Sequence, residues 1–357
     1  MAAGGAKPLR VVVTGATGNV GTAVLAALGA EPAVESIVGI ARRRPRIDVP
    51  KVEWCAANVV TDARLPDIFA GADAVIHLAW LIQPSRDQIA LRAVNVEGSR
   101  RVFETAAEAG VPAVVYASSV GAYSPGPKRE SVDESWPTQG IDSSFYSHHK
   151  AEVEGILDGF ELQNPETRVV RLRPALIFRR EAATGIRRLF LGPLFPNPLL
   201  GAGVPLVPEV ERLRFQAVHT ADVAEAYRLA VLRDVSGPFN IAAEPVLDPA
   251  ELARILDARR VRLPARALRG AAALSWRLHL QPSPPGWVDM ALAVPIMSTA
   301  RARSELGWQP RYTAAEALGE LLAGLRDGTG YPTPPLDAGT SGPLRKRELS
   351  SGVGARG

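Results

Sequence analysis

Short apolar segments alternate with amphipathic segments along the first half of the chain. Six of the apolar segments are short enough to be strands buried on both faces. They lie at residues 9–13, 34–40, 52–57, 73–79, 113–118 and 168–172. Segments of helical period separate them, and the longest are residues 84–109 and 143–160. Strands and helices that alternate at this spacing form a parallel sheet covered on both faces. The pattern predicts a doubly wound α/β fold.

The pattern changes at Pro174. Residues 189–208 are rich in Leu, Pro and Gly and follow neither period, which predicts a long loop region. Residues 215–218 and 239–242 are strand-like and flank a predicted helix at 221–232, whereas residues 246–327 are mainly helical. We divide the chain into a dinucleotide-binding domain at 1–173, to which 215–242 return, a smaller, mostly helical substrate region at 174–214 and 243–328, and a disordered tail at 329–357.

Three glycines follow the first apolar segment, at Gly15, Gly18 and Gly21. They belong to the sequence TGATGNVG, after which apolar residues recur at helical spacing up to Leu28. Glycine permits a tight turn and lets the backbone approach a pyrophosphate, while the first-turn N–H groups of the helix point at the phosphates. A strand, a glycine turn and a helix in this order favour the dinucleotide site of a Rossmann domain over a structural glycine turn.

Arg42 and Arg43 stand where the second predicted strand ends. The acid that binds a ribose 2′-hydroxyl is expected about 20 residues beyond the glycines, and Ala41 occupies that place. An acid there would repel a 2′-phosphate, whereas a guanidinium pairs with it. A solvated basic turn is the alternative for any single arginine, but the cluster favours NADP over NAD.

Tyr146 and Lys150 are four residues apart in a predicted helix and therefore share one face. A phenol with a pKa of about 10 is a poor base, but a nearby ammonium and an oxidised nicotinamide favour the phenolate. Ser118 or Ser119, at the end of the preceding strand, adds a hydrogen-bond donor for a reacting oxygen. The alternative is a partly buried helix aromatic beside a solvated lysine.

These motifs together resemble an extended short-chain dehydrogenase/reductase, the NAD-dependent epimerase/dehydratase family. TGATGNVG resembles the family pattern TGxxGxxG, and YSHHK at 146–150 resembles YxxxK. HLA at 77–79, NVEG at 95–98 and VYASSVGAY at 115–123 resemble further motifs of the family. RLRPALIF, AVHTADVAEAY, FNIAAEP and ELGWQP resemble later landmarks, so the similarity covers roughly residues 9–325.

The resemblance implies hydride transfer between a nicotinamide and a substrate carbon. Tyr146 would exchange the hydroxyl proton, Lys150 would hold the nicotinamide ribose, and Ser119 would steady the substrate oxygen. The implied cofactor-binding residues are Gly15, Thr17, Gly18, Asn19, Val20, Gly21, Arg42, Arg43, Asn58, Val59, Leu78, Ala79, Trp80, Asn95, Ala117, Tyr146, Lys150, Arg173 and Pro174. The implied substrate-binding residues are Ser119, Val120, Gly121 and Arg214. A homodimer built on helices 86–109 and 143–160 is also implied.

Three departures from the family pattern keep several functions open. Asn58 replaces a common Asp near the adenine, Ala41 replaces the acid of many epimerases, and Arg214 lies one residue farther from His219 than in sugar-nucleotide epimerases. One candidate is an epimerase or dehydratase of a nucleotide sugar. The others are an NADPH-dependent reductase or dehydrogenase of a less polar carbonyl or alcohol, and a non-catalytic dinucleotide-binding regulator.

Composition narrows the setting. The formal charge of +4 comes without a nucleic-acid-binding motif, so we expect a small-molecule partner and no nucleic acid. No apolar run is long enough to span a bilayer, and the opening residues do not resemble a secretory signal. Cys55 is the only cysteine, which fits a cytoplasmic protein. No second ligand lies at metal spacing from His77, so no metal site is predicted.

Overall fold

Seven parallel strands form the central sheet in the computed structural model, which describes residues 7–83, 85–190 and 206–337. The strands of the described ranges are β1 Leu9–Thr14, β2 Val34–Ala41, β3 Val52–Ala56, β4 Ala74–His77, β5 Ala113–Ala117, β6 Ser131–Val132, β7 Arg168–Pro174, β8 Leu176–Phe178, β9 Leu206–Glu209, β10 Phe215–His219, β11 Gly237–Ile241, β12 Ala243–Leu247, β13 Arg259–Arg262 and β14 Ile296–Met297. The order across the central sheet is β3-β2-β1-β4-β5-β7-β11. It reverses at β1, between β2 and β4, which is the switch point where such sheets bind ligands.

Helices cover both faces of this sheet. The α-helices of the described ranges are α1 Asn19–Gly29, α2 Leu65–Phe69, α3 Gln88–Arg92, α4 Gly98–Glu108, α5 Phe145–Gln163, α6 Ala183–Phe190, α7 Thr220–Leu232, α8 Pro249–Leu256, α9 Ala265–Arg277, α10 Gly286–Ala293, α11 Ala300–Ser304 and α12 Ala314–Asp327. On one face Val11 and Val13 pack with Leu25 of α1 and Tyr227 of α7. On the other face Val12 packs in a second core, to which α4 and α5 contribute. Alternate residues of β1 thus enter opposite cores, which confirms the doubly wound fold.

The helix predicted at 84–109 is helical from residue 88 to residue 108, but a π-helical turn interrupts its α-helical hydrogen bonding. Asp87 caps the start of α3 by accepting a 2.9 Å hydrogen bond from the Ala90 amide. A π-helical turn over Ala93–Glu97 then separates α3 from α4. The wider turn carries Asn95, whose side-chain carbonyl accepts a 2.7 Å bond from the Leu81 amide. Periodicity alone could not show this break because the apolar residues continue in helical register through it.

Two predictions for the chain after β7 need correction. Residues 215–242 do not all return to the central sheet: β11 lies in it beside β7, whereas β10 lies in a three-stranded sheet with β8 and β12. The predicted loop at 189–208 begins within α6 and ends in β9, which pairs with β13. Residues 191–205 lie outside the described residues.

The predicted disordered tail is wrong for its first part. Thr333 and Leu336 are buried, and the Thr333 hydroxyl donates a 2.8 Å hydrogen bond to the Thr17 carbonyl. Leu336 lies against Gly185 of α6, where a Cβ would be 3.2 Å from the Leu336 Cδ2, and Arg188 donates a 3.0 Å hydrogen bond to the Pro335 carbonyl. Residues 338–357 lie outside the described residues. Composition predicted disorder because Pro and Gly dominate the segment, but a few anchoring side chains suffice to order it.

Candidate functional site

The glycine turn follows β1 directly and fits a dinucleotide pyrophosphate. Gly15 has a φ of +68°, and a Cβ at Gly15 would lie 2.7 Å from the Ala79 nitrogen. A Cβ at Gly21 would lie 2.4 Å from the Gly15 carbonyl oxygen. Gly18 is the N-cap of α1, where no side chain caps the helix and no acid occupies the first turn. The first-turn amides of Asn19, Val20 and Gly21 therefore remain suited to an anion.

The segment after β4 lies against this turn. The Leu78 amide donates a 3.2 Å hydrogen bond to the Thr14 carbonyl, and Leu78 and Ala79 supply the backbone that a Cβ at Gly15 would strike. Asn95 is fully buried and holds both the amide and the carbonyl of Leu81, at 2.7 and 2.8 Å. Its side chain thus positions the segment that contains Trp80 instead of facing a ligand.

His77, the last residue of β4, is a structural residue. Its ring nitrogens lie 2.7 Å from the Thr14 hydroxyl and 2.9 Å from the Ser99 hydroxyl. Burial is the main cause that lowers the His77 pKa to about 3, and the charge of Lys150 acts in the same direction. The described residues contain no group of three or more His, Cys, Asp or Glu that could hold a metal ion.

Tyr146 and Lys150 lie on the first turns of α5. The Ser144 hydroxyl caps this helix by accepting a 3.4 Å hydrogen bond from the Ser147 amide. Lys150 is buried, and its Nζ donates to the Ala117 carbonyl at 2.5 Å, at the end of β5. The helix therefore brings both residues to the carboxyl edge of the sheet, beside the residues that follow β4 and β5.

Burial raises the Tyr146 pKa, while the Ser119 hydroxyl lowers it by hydrogen bonding. The expectation that Lys150 lowers the phenol pKa is therefore not met here. The ammonium lies 5.9 Å from the centroid of the Tyr146 ring and is directed to Ala117 and Trp80. Burial also lowers the Lys150 pKa, against the opposing charge of Glu154.

Ser118 and Ser119 have different partners. The Ser118 hydroxyl donates to Glu154 at 2.5 Å, within a buried ion pair. Ser119 starts the 3₁₀ turn Val120–Ala122, where its oxygen accepts a 3.0 Å bond from the Gly121 amide. Ser119 therefore faces Tyr146, while Ser118 belongs to the protein interior.

Arg173 also belongs to that interior. Its guanidinium donates to both carboxylate oxygens of Glu154, at 2.8 and 2.9 Å, and to the Tyr123 hydroxyl at 3.0 Å. This pairing lowers the Glu154 pKa to about 2 despite burial. The Arg173 side chain is therefore occupied within the protein, and Arg173 and Pro174 end β7 at the carboxyl edge of the sheet.

An aromatic wall formed by Trp80, Phe145, Phe190 and Trp287 lies beside Tyr146. Trp80 and Trp287 contact the Tyr146 ring, whereas Phe145 and Phe190 pack against Trp287. The Trp287 and Trp80 centroids lie 4.9 and 5.9 Å from that of Tyr146, and Phe190 lies 4.9 Å from Trp287. Gly121 completes the close packing, because a Cβ there would lie 2.9 Å from the Tyr146 ring. Val120 packs beside it with Tyr146. No sequence motif indicates that Trp287 contacts Tyr146, although the apolar stretch 276–290 that contains Trp287 is compatible with a lining for an apolar substrate.

Arg214 lies just before β10, and Lys128 links its carbonyl to α10, the helix that carries Trp287. It is half-buried, and its buried Nε has no hydrogen-bond partner among the described residues. The Lys128 Nζ donates hydrogen bonds to the Arg214 carbonyl at 2.9 Å and to the Ala291 carbonyl at 2.8 Å. Burial, with the charge of Arg212, lowers the Lys128 pKa to about 7.

The remaining residues predicted to bind the cofactor follow β2 and β3. Arg42 and Arg43 are exposed directly after β2. The Asn58 side-chain carbonyl accepts a 3.0 Å bond from the Val60 amide, and Val59 is buried against α4. These places lie at the same sheet edge as the glycine turn, because the strands are parallel.

Arg179, Thr333 and Tyr331 form a second layer around the glycine turn that no sequence signal indicated. Arg179 donates a 2.6 Å hydrogen bond to the Thr22 hydroxyl on α1 and lies over the Tyr331 ring. Its Nε is buried without a hydrogen-bond partner in the described ranges. Thr333 binds the Thr17 carbonyl on the other side of the turn.

The comparisons with known proteins agree with this architecture. The model of the NAD-dependent epimerase/dehydratase family matches residues 11–242. The chain belongs to this family. The family is that of NAD-dependent epimerases and dehydratases, and the Rossmann-like sheet described above agrees with the match.

Individual relatives are distant. An uncharacterised protein of Mycobacterium tuberculosis is 26% identical over 320 residues, covering 89% of this chain but 30% of the relative. A decarboxylating sterol-4-alpha-carboxylate 3-dehydrogenase of Candida albicans is 28% identical over 185 residues, covering 51% of each protein. The UDP-glucose 4-epimerase of Thermus thermophilus, in complex with NAD, shares the fold with a TM-score of 0.66 and 21% identity, covering 89% of this chain and 99% of that chain.

None of the helices in the described part of the chain combines the length and the apolar character needed to cross a membrane.

Proposed function

We propose that the protein is an NAD(P)-dependent oxidoreductase acting on a hydroxyl or carbonyl carbon of a small molecule. The observation that carries this proposal is the proximity of the Tyr146 phenol, the Ser119 hydroxyl and the Lys150 amine at the sheet edge that holds the glycine turn. A bound dinucleotide would supply hydride transfer at its nicotinamide. The side chains of the protein would supply the proton exchange and the hydrogen bonds to the substrate.

Tyr146 would accept the substrate hydroxyl proton during oxidation and return it during reduction. Ser119 would donate a hydrogen bond to the substrate oxygen, while the Gly121 amide holds the Ser119 oxygen in place. The positive charge of an oxidised nicotinamide would favour the phenolate over the neutral phenol. Lys150, which donates to the Ala117 carbonyl, would hold the nicotinamide ribose. The buried setting makes such charge effects stronger than they are in water.

The aromatic wall favours a substrate of low polarity. Trp80 and Trp287 present ring surface next to the proton-exchanging phenol. Such walls suit a ring-bearing or hydrocarbon-rich alcohol, because burying apolar substrate surface there stabilises the complex. The sterol dehydrogenase of Candida albicans among the relatives is in line with this class.

A nucleotide sugar is the second candidate substrate, and Arg214 is the observation that favours it. A half-buried guanidinium with an unpaired Nε, linked through Lys128 to the helix that carries Trp287, could bind a diphosphate. The Thermus thermophilus structure, a UDP-glucose 4-epimerase, represents this class. The two substrate classes make opposite demands on Arg214, which a diphosphate needs and an apolar alcohol does not.

Arg42 and Arg43 support NADP as the preferred cofactor. Both are exposed just past β2, where Ala41 leaves no carboxylate to repel a 2′-phosphate. The lone Cys55 supports a cytoplasmic location.

We also propose a homodimer built on α4 and α5. A groove of about 660 Å³ lies between these helices, lined by Phe103, Gly155, Ile156, Gly159 and Phe160 among others. The two glycines leave open space for an approaching helix. Light scattering of the full chain measures the mass directly.

The test of the function uses purified protein and a substrate panel. Reduced dinucleotide would be followed by its near-ultraviolet absorbance with a 3-hydroxysteroid and a long-chain secondary alcohol, each with NAD and with NADP. Conversion of UDP-glucose and UDP-glucuronic acid into other sugar nucleotides would be followed by chromatography, because an epimerase returns its dinucleotide to the starting oxidation state in each turnover. Arg214→Ala would lose activity only if the substrate carries a diphosphate. Tight dinucleotide binding without turnover of any carbonyl or alcohol would instead favour a non-catalytic regulator.

A further inference from the structure

Residues 259–280 form a strongly basic and exposed stretch outside the candidate site. Their sequence, RRVRLPARALRGAAALSWRLHL, contains six arginines and no acidic residue. All four residues of β13 are exposed, and no residue of α9 is buried. We call this stretch the basic segment.

An apolar stripe runs along the exposed face of α9. Ala267, Ala271, Leu274 and Leu278 recur at intervals of four, three and four residues, so they share one face. Leu274 and Leu278 are 60% and 58% exposed, and Leu280 just beyond them is 49% exposed. Leucines clustered at such exposure mark a surface that is covered by something else in use.

The opposite face of α9 attaches the helix to the protein. Trp276 stacks on Arg86, whose Cζ lies 4.3 Å from the indole centroid. Arg269 donates a 2.7 Å hydrogen bond to Asp289 of α10. The orientation of the helix is thereby fixed, and the leucine stripe points outward.

Unpaired positive charge accompanies the stripe. Two of the six arginines form ion pairs. The Arg260 guanidinium lies 3.6 Å from a Glu209 carboxylate oxygen, and Arg269 pairs with Asp289. The other arginines form no ion pair within the described ranges: Arg259, Arg262, Arg266 and Arg277. Arg266 and Arg277 project beside the leucine stripe, since each precedes a stripe residue by one position.

We propose that the basic segment binds the surface of an anionic lipid bilayer, with the leucine stripe inserted among the acyl chains. Exposed leucines flanked by arginines on one helix are the pattern of helices that lie in a membrane interface. Arginines beside the apolar face then meet anionic headgroups. The proposal does not depend on catalysis, since it rests on α9 and β13 alone.

Two other occupants suit this surface less well. A second copy packed by two-fold symmetry would bring the same arginines against one another, which is repulsive. A nucleic acid would pair with the arginines but would leave Leu274 and Leu278 exposed to water or to phosphates.

The surface borders the candidate cleft. Arg86, which follows the segment containing Trp80, donates to the Trp276 carbonyl, and Gln83 donates to the Pro282 carbonyl at 3.2 Å. Docking through α9 would therefore bring the residues that follow Trp80, including Gln83 and Arg86, near the bilayer. An apolar substrate dissolved in the membrane would enter there.

The test is co-flotation of the full-length protein with vesicles in the presence and absence of high salt. Vesicles of phosphatidylcholine alone would be compared with vesicles made of equal parts of phosphatidylcholine and phosphatidylglycerol. We expect binding to the anionic vesicles, weakened by salt. Leu274→Asp with Leu278→Asp, and separately Arg266→Glu with Arg277→Glu, should each reduce binding on the order of tenfold or more.

Matched controls separate membrane binding from folding. Leu162→Asp changes a leucine that is 86% exposed on α5 and should bind vesicles like the unaltered protein. Arg266→Lys with Arg277→Lys keeps the charge and should also bind normally. Dinucleotide titration of every variant shows that the fold persists. Failure of the unaltered protein to bind anionic vesicles, equal binding by the Leu274/Leu278 variant, or retention of a polyanionic RNA without vesicle binding would each overturn the proposal.

Discussion

Lys150 Nζ lies 3.4 Å from the centroid of the Trp80 indole, within the range of a cation–π interaction. The same nitrogen donates to the Ala117 carbonyl. Burial lowers the Lys150 pKa, and the charge of Glu154 acts in the opposite direction. Trp80 thus helps to stabilise the charged form of a lysine that the proposed chemistry requires to be charged.

Replacing Trp80 with Leu tests this contact. The variant keeps an apolar side chain but loses the aromatic ring, so a cation–π contact of about 0.5–2 kcal/mol is lost and the Lys150 pKa should fall further. The alkaline loss of dinucleotide affinity should then move to lower pH. Trp80→Phe should retain part of the effect.

Trp276→Leu is the control for Trp80, because its ring stacks on Arg86. It should leave the pH dependence of dinucleotide binding unchanged. Superimposable profiles for Trp80→Leu and the unaltered protein would show that the indole does not stabilise the ammonium.

The two adjacent serines should respond differently to alanine. Ser119→Ala removes the hydroxyl beside Tyr146, so turnover should fall by roughly 10–100-fold, the effect of one lost hydrogen bond to a charged group of about 1.5–3 kcal/mol. Ser118→Ala removes the donor to Glu154. It should lower the free energy of unfolding by about 1 kcal/mol and leave turnover nearly unchanged. Steady-state kinetics and denaturant unfolding of both variants decide; the reverse ranking would assign the active hydroxyl to Ser118.

Cofactor preference should depend on Arg42 and Arg43. If they bind a 2′-phosphate, NADP binds more tightly than NAD, and replacing both with Ala weakens NADP binding by about 1.5–3 kcal/mol without altering NAD affinity. The neighbouring exposed Arg44, replaced by Ala, serves as the control. Calorimetric titration that finds tighter NAD binding in the unaltered protein would refute the preference.

Thr333 should support the glycine turn from the chain beyond α12. Thr333→Val keeps the shape but loses the hydrogen bond to the Thr17 carbonyl, so the free energy of unfolding should fall by about 1 kcal/mol. Dinucleotide affinity should fall with it, since Thr17 lies in the turn. Thr333→Ser restores the hydroxyl and should restore both quantities. Unchanged stability and affinity in Thr333→Val would mean that this segment does not support the turn.

The parts that sequence could predict are local. The central sheet follows from short apolar segments and crossover spacing. The Tyr146–Lys150 pair follows from a separation of four residues on one helix. Contacts between distant parts of the chain left no comparable signal: Trp287 meets Tyr146 across 141 positions, and Thr333 meets Thr17 across 316.

Electrostatics also exceeded what the sequence could indicate. The spacing of Lys150 and Tyr146 suggested a depressed phenol pKa, but burial dominates and raises it. Arg173 matched a motif, yet its guanidinium is committed to Glu154. Burial and partner choice are properties of the packed structure, so motif spacing alone does not determine them.

The proposal that Tyr146 exchanges the substrate proton is tested most directly by the Tyr146→Phe variant. Turnover on a substrate found in the panel and dinucleotide affinity would both be measured. The change removes one hydroxyl from a half-buried ring and leaves the packing with Trp80 and Trp287 in place. Because the Tyr146 pKa is raised, oxidation by the unaltered protein should increase with pH, and the variant should lose this dependence. We predict turnover lower by roughly 10²–10⁴-fold with dinucleotide affinity unchanged. Near-normal turnover with an unchanged pH profile would contradict the central claim.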